Sequence, residues 1–213
     1  MSSSSFSPSK DDFSKELKSI RKMVNWRIAK ERSSFFDRVL FLIKNWKGQL
    51  PDLRDIFRPE EMDWLLTEDF KNKYYDVISR REFNFIKFVV EAGYKESSNI
   101  DKNSKPLLRR TTALHWATRL DYCFGVIKLL EIYDRFDVNY TDESGLSHFH
   151  VACKFGCCDI VEKFLEAGQD PNCVWKETGD SPLHLALANA NKEVVESLLR
   201  NGAKTQIWST RTD

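Results

Sequence analysis

The chain has 213 residues, 41% of them hydrophobic and 13% aromatic, with 33 Lys/Arg against 32 Asp/Glu for a formal net charge of +1. That apolar and aromatic content excludes a wholly disordered chain, and no run of about 18 apolar residues offers a membrane-spanning helix. Near-neutrality hides an asymmetry: residues 1–50 hold eleven Lys or Arg against five acids, so a basic head precedes a slightly acidic remainder.

Residues 1–9 are Ser-rich, lack the apolar core of a secretory signal, and are expected to form a disordered tail. From Lys10 the pattern turns helical. Phe13, Leu17, Ile20, Val24 and Ile28 recur at steps of about three and four residues, with charges between them. A second apolar set follows at Phe35, Phe36, Val39, Leu40, Leu42, Ile43 and Trp46, with Ser33 or Ser34 as the expected cap. That helix is too apolar to stand alone in water and is expected to pack on the first helices of the repeat array. Gly48 and Pro51 end it. Leu50–Phe57 reads as a linker or short turn. Pro59-Glu60-Glu61 then marks a helix start, with proline in the first turn and acids facing the positive end of the dipole. Residues 10–66 are thus expected to form an N-terminal helical extension.

Lys15, Lys18 and Lys22 share one face of the first helix, which opens the alternative of nucleic-acid or anionic-membrane binding. Glu16 and the two Asp dilute that face. Leu50–Phe57 also resembles the opening of an F-box, which would imply a ubiquitin-ligase substrate adaptor.

Tyr74, Val77 and Ile78, then Phe83, Phe85, Ile86, Val89 and Val90, suit a helix pair. Glu91-Ala92-Gly93 matches Glu166-Ala167-Gly168, and Arg200-Asn201-Gly202 stands at the equivalent place later. Residues 67–111 are read as a degenerate capping repeat followed by a long polar loop.

Residues 112–213 hold three copies of one phrase: Thr112-Ala113-Leu114-His115-Trp116-Ala117, Ser147-His148-Phe149-His150-Val151-Ala152 and Ser181-Pro182-Leu183-His184-Leu185-Ala186. The histidines His115, His150 and His184 are spaced by 35 and 34 residues. Leu130, Leu165 and Leu199 each follow their histidine by 15 residues. A period in this range marks a stacked array of helix-turn-helix units. Gly168 and Gly202 end second helices, where a left-handed residue is common. The first copy is two residues longer after Leu130, so its second helix extends or its turn bulges. At the position of Gly156 the other copies carry Asp121 and Ala190. A solenoid wants a polar outer face on its last repeat, so the third copy is expected to be frayed, partnered or followed by more chain.

The phrase resembles the ankyrin repeat, and the E-A-G-Q-D-P-N (166–172) and E-T-G-D-S-P-L-H-L-A (177–186) stretches resemble insect-type members. The resemblance implies an all-α solenoid whose signature histidines fix the turn into each first helix. It implies a non-catalytic protein-binding module, a scaffold, adaptor or inhibitor. Partners of such arrays meet the hairpin tips and the exposed faces of the first helices. Carried onto this chain, those positions are Arg119, Leu120, Lys154, Phe155, Ala188 and Asn189 on helices, and Tyr140, Glu143, Trp175 and Lys176 at tips. Trp175, Tyr140 and Phe155 are the expected anchors, because aromatic residues are enriched at interfaces.

Other chemistry is weighed against this. His148, His150, Cys153, Cys157 and Cys158 have metal-ligand types, but zinc wants four convergent ligands. His150 is committed to the turn, Cys153 to an inward slot that Leu187 fills in the third copy. No cofactor or metal is expected. No nucleophile elbow or phosphate loop occurs, so no enzyme activity is expected. Ser144-Gly145-Leu146-Ser147 reads as a hairpin turn with its cap. The five cysteines are odd in number and fit reduced thiols in cytoplasm or nucleus. The partner's identity and the oligomeric state are left open.

Overall fold

The computed structural model describes residues 12–46, 48–74, 84–96 and 109–205, with ten α-helices and no strand longer than an isolated bridge among them. The chain divides into two compact units, residues 1–94 and 95–213.

The first unit contains α1 (Asp12–Lys22), α2 (Ala29–Lys44), a 3-10 turn (Leu53–Asp55), α3 (Pro59–Tyr74) and α4 (Asn84–Glu91). Its core is built from the apolar stripes read in the sequence. Leu17 and Ile20 of α1, Phe35, Phe36, Val39 and Leu42 of α2, Leu65 and Leu66 of α3, and Phe85, Ile86 and Val89 of α4 are all buried. Aromatic edges knit these helices together. Phe36 meets Trp64 at 6.3 Å and Phe85 at 5.8 Å between ring centroids, both nearly perpendicular.

Helix α2 starts earlier than expected. Neither Ser33 nor Ser34 caps it; both lie inside the helix, and Ile28 occupies the cap position without a side-chain bond. The Glu31 carboxylate accepts from the Asn25 amide at 2.8 Å and ties the entering loop to the first turn. On α3, Glu61 accepts from the Arg58 amide at 3.0 Å, half of a capping box. It also takes a forked pair of bonds from Arg21 of α1, the shortest at 2.7 Å. Helix α3 runs unbroken through residues 66–67, where the extension was expected to give way to the degenerate repeat. Val77, Ile78 and the loop residues 101–105 lie outside the described residues.

The second unit contains three helix pairs: α5 (Ala113–Arg119) with α6 (Cys123–Ile132), α7 (His148–Lys154) with α8 (Cys158–Glu166), and α9 (Pro182–Ala188) with α10 (Lys192–Arg200). Each first helix is opened by the same device. The amides of Thr112, Ser147 and Ser181 donate to Nδ1 of His115, His150 and His184 at 3.0, 3.3 and 3.1 Å. In the second and third pairs the histidine amide returns a bond to the serine hydroxyl. Reciprocal satisfaction of two end donors is worth about 1 kcal/mol per helix. The pairs stack through Phe149, Ala152, Cys153, Val161 and Phe164 of the middle pair and Leu183, Ala186, Val194 and Leu198 of the last. Gly168 and Gly202 follow α8 and α10 with left-handed backbones, at φ 87° and 86°.

The extra length of the first repeat is shared between a second helix one residue longer than its counterparts and the turn after it. Helix α6 stops at Ile132, and the inserted loop folds Phe136 against Phe164, centroids 5.2 Å apart.

The bend between first and second helices needs a left-handed residue in every copy. Gly156 adopts it at φ 71°, but so do Asp121 at 51° and Ala190 at 55°. A side chain there costs about 1 kcal/mol. Ala190→Gly is therefore expected to stabilise the chain by about 0.5–1 kcal/mol, read as a higher urea midpoint at unchanged slope. Gly156→Ala should do the reverse and by more, since its Cβ would lie 2.7 Å from Oδ1 of Asn191. A lower midpoint for Ala190→Gly would show that the backbone strain is relieved in some other way.

Candidate protein-binding surface

The tips of the helix pairs are built by hydrogen bonds. Asp142 is the organiser of the second. Its Oδ1 accepts from the Ser144 amide at 2.9 Å, the Ser144 hydroxyl at 2.6 Å and the Leu146 amide at 3.0 Å. Its other oxygen accepts from Arg119 at 2.8 Å. Burial pushes the Asp142 carboxyl up, but the Ser144 hydroxyl, the Leu146 amide and Arg119 outweigh it and hold it below the usual carboxylate range. The third tip presses on the second. Trp175 donates its indole N–H to Ser144 Oγ at 2.9 Å, and the Glu177 amide donates to the Ser144 carbonyl at 3.1 Å. Gly145 is required here, because a Cβ would meet the backbone nitrogen of Lys176 at 2.9 Å.

Beneath the tips runs a buried polar seam. Nε2 of His115 lies 3.1 Å from the Leu146 carbonyl, and its ring centroid is 4.9 Å from that of His148. Thr112 Oγ1 bridges the two rings, 3.0 Å from Nδ1 of His115 and 2.8 Å from Nε2 of His148. Burial pushes His115 and His150 down to about 4 and His148 well below its ordinary value, so all three are neutral near pH 7. His150 faces the Cys173 thiol at 3.6 Å. Burial raises that thiol to about 12, Cys157 to about 11 and Cys153 well above its ordinary value. Burial thus holds these thiols protonated, and the Cys173 thiol faces a neutral imidazole, so none stands ready as a thiolate nucleophile. Among the described residues no three His, Cys, Asp or Glu side chains are placed to hold a metal ion.

The expected partner-binding residues divide by burial. Arg119 is exposed at the end of α5, with its guanidinium 5.3 Å from the Trp116 ring centroid. Leu120, next to it, is half-buried. On the following first helix Lys154 lies 5.1 Å from the half-buried Phe155 ring and pairs with Asp121 at 2.9 Å. Asn189 and Ala188 are exposed on α9, and the Asn189 side chain returns to the Leu185 carbonyl at 2.8 Å. Glu143 and Lys176 are exposed tip residues, while Trp175 is half-buried against the second tip.

Tyr140 is not at an exposed tip. It is 3% exposed; its hydroxyl donates to Glu96 at 2.9 Å, and Arg110 stacks on its ring at 5.1 Å. The segment before the hairpin runs inward, so this aromatic is core. Leu187 differs in the other direction. Cys153 is buried under the third pair, whereas Leu187 in the equivalent slot is 57% exposed, with no further pair among the described residues to cover it. Trp116, a residue outside the positions carried over from the repeat pattern, completes the Arg119 site. Its signal lay in the sequence, in the variable slot directly after His115, a place that Val151 and Leu185 fill with aliphatics.

The comparisons agree with this architecture. A family described as "Ankyrin repeats (3 copies)" matches residues 114–208. The human BCL-6 corepressor-like protein 1 is 39% identical over 92 residues, 43% of this chain and 5% of that protein. The human SMC5-SMC6 complex localization factor protein 1 is 32% identical over 98 residues, 46% of this chain and 9% of that protein. The ADP-ribosylation factor GTPase-activating protein AGD2 of Arabidopsis thaliana is 26% identical over 189 residues, 76% of this chain and 24% of that protein. The chain thus spans at most 24% of the length of these three relatives. The repeated His-capped helix pairs and their stacking agree with the family match, which identifies residues 114–208 as ankyrin repeats.

Proposed function

We propose that the second unit holds a protein partner along the strip formed by Trp116, Arg119, Leu120, Lys154 and Phe155, with Glu143 and Lys176 at its rim. The observation that carries this is the repeated pairing of a cation with an aromatic ring on consecutive first helices, 5.3 Å at Arg119 and 5.1 Å at Lys154. Such pairs give a partner large rigid contact area together with fixed charge, the composition of interface anchors. Trp175 acts from behind, fixing the tip that carries Lys176. One relative is named for localizing the SMC5-SMC6 complex, which supports a scaffold or adaptor role over a catalytic one. The five free cysteines, one buried and three half-buried, support a reducing compartment, cytoplasm or nucleus. The adaptor reading through Leu50–Phe57 loses support, because Leu53, Ile56 and Phe57 are spent in the core of the first unit.

The test is quantitative affinity purification of the full chain against two variants, Arg119→Gln with Phe155→Ser, and Glu143→Lys with Lys176→Glu. The first is expected to lose the recovered proteins and the second to weaken their recovery. Melting midpoints are measured alongside, so that unfolding is not mistaken for lost binding. Unchanged recovery in both variants would place the partner elsewhere.

A further inference from the structure

Helix α2 spends one face on the core and leaves the other with a definite composition. Around Phe41, at helical steps back and forward, stand Lys30, Ser34, Asp37, Arg38 and Lys44, all exposed. Phe41 itself is 69% exposed, more than any other large apolar side chain among the described residues. Its neighbours at three residues on either side are Arg38 and Lys44. The turn between α1 and α2 adds two exposed aliphatic side chains, Met23 at 65% and Ile28 at 44%. On α1, Lys15, Lys18 and Lys22 are exposed on one face. Counting Arg27, seven exposed cations stand against three exposed carboxylates, Glu16, Glu31 and Asp37, over residues 13–46. Among the described residues none of the seven sits in an ion pair. The cations that do have structural roles are others: Arg21 holds Glu61, and Arg32 stacks on Trp64 at 5.1 Å.

Exposed cations interleaved with exposed large apolar groups fit a two-part partner, negatively charged outside and apolar just beneath. We propose that the α1–α2 hairpin lies on an anionic lipid surface. Phe41 sits at the boundary between headgroups and acyl chains, and Lys30, Arg38 and Lys44 face the headgroup anions. Amphipathic helices that lie in the interface carry this composition, and each Lys or Arg near an anionic leaflet adds about fivefold to the partition. The hairpin rests on the surface without crossing it, since no helix among the described residues is long and apolar enough to span. A nucleic acid would use the cations and stack on Phe41, but it has no place for Met23 and Ile28.

The experiment is co-sedimentation of the full chain with vesicles of phosphatidylcholine alone and of phosphatidylcholine mixed with phosphatidylserine. Binding is expected only to the mixed vesicles, falling steeply as salt shortens the screening length. Phe41→Ser is expected to weaken it about tenfold, and Lys30→Glu with Lys44→Glu by about a hundredfold or more. These side chains are exposed, so circular dichroism and melting should be unchanged in every variant. Equal binding to both vesicle types, or binding that Phe41→Ser leaves untouched, overturns the proposal. So does tight binding to a single-stranded oligonucleotide with none to vesicles, which would assign the hairpin to nucleic acid.

Discussion

Stability is expected to fall by several kcal/mol as the pH drops from 6.5 to 4. The cause is the polar seam under the hairpin tips. An imidazole in the unfolded chain binds its proton near pH 6.5. In the folded chain burial pushes His115 and His150 down to about 4, and His148 well below its ordinary value. A depressed histidine binds fewer protons folded than unfolded, so its contribution is fully present above pH 6.5 and drains away as pH falls toward the folded value. His115 and His150 each lose about 3 kcal/mol by pH 4 on that account. Domains of ordinary stability have about 5–15 kcal/mol in all. A loss of this size brings a domain at the lower end of that range to its unfolding midpoint near pH 4. The surrounding charges do not reverse the sign. Asp142 favours the charged form of His115 while Arg119 opposes it, and Arg110 and His115 both oppose charging of His148. Asp142 is itself held low, so its protonation removes stability in the same direction. Urea midpoints measured across this range check the prediction; a flat profile from pH 7 to pH 4 would mean that the imidazoles reach water or carry their protons in the folded chain.

Phe164→Ala is expected to cost about 3–5 kcal/mol, the usual range for deleting a buried ring. Phe164 is fully buried in the middle pair and holds two aromatic partners, Phe149 at 5.7 Å and Phe136 at 5.2 Å. One of these comes from the inserted loop after α6, so the truncation loosens the seating of that loop as well as the pair's own core. Neither ring can move in to fill the space without giving up its other contacts. Chemical denaturation should show the loss in the main transition of the second unit. A cost below about 1 kcal/mol would show that the site collapses freely, contrary to the close packing of interiors.

The parts legible in the sequence are those governed by local rules repeated in register. The serine or threonine three residues before each histidine is enough to place α5, α7 and α9, because the capping box is closed within four residues. The apolar stripes of α1 and α2 are legible for the same reason. Other features depend on residues outside the repeated pattern. The burial of Tyr140 is decided by Glu96, 44 residues upstream, which takes its hydroxyl. Helix α2 starts earlier than a serine cap would put it, because its entry is secured from outside the helix through Asn25. His148 reads in sequence as a spare histidine near cysteines, and only the folded chain brings it between Thr112, Tyr133 and Tyr140. On the binding strip, Arg119, Lys154 and Phe155 could be named from the period alone. That each cation lies over a ring could not.

Asn191 belongs to the third repeat, yet its side chain donates to the carbonyls of Cys153 and Lys154 at 3.0 and 2.8 Å, the end of the second repeat's first helix. Those carbonyls have no partner of their own within the helix, so the third repeat completes the second. The link behaves like a latch between neighbours in a one-dimensional chain. When the third repeat melts, the second is left with open carbonyls and an uncovered Cys153, and its own intrinsic stability falls at the same moment. Unfolding that begins at α10 is thereby transmitted inward and does not stop at the repeat boundary, which makes the second and third repeats one cooperative block.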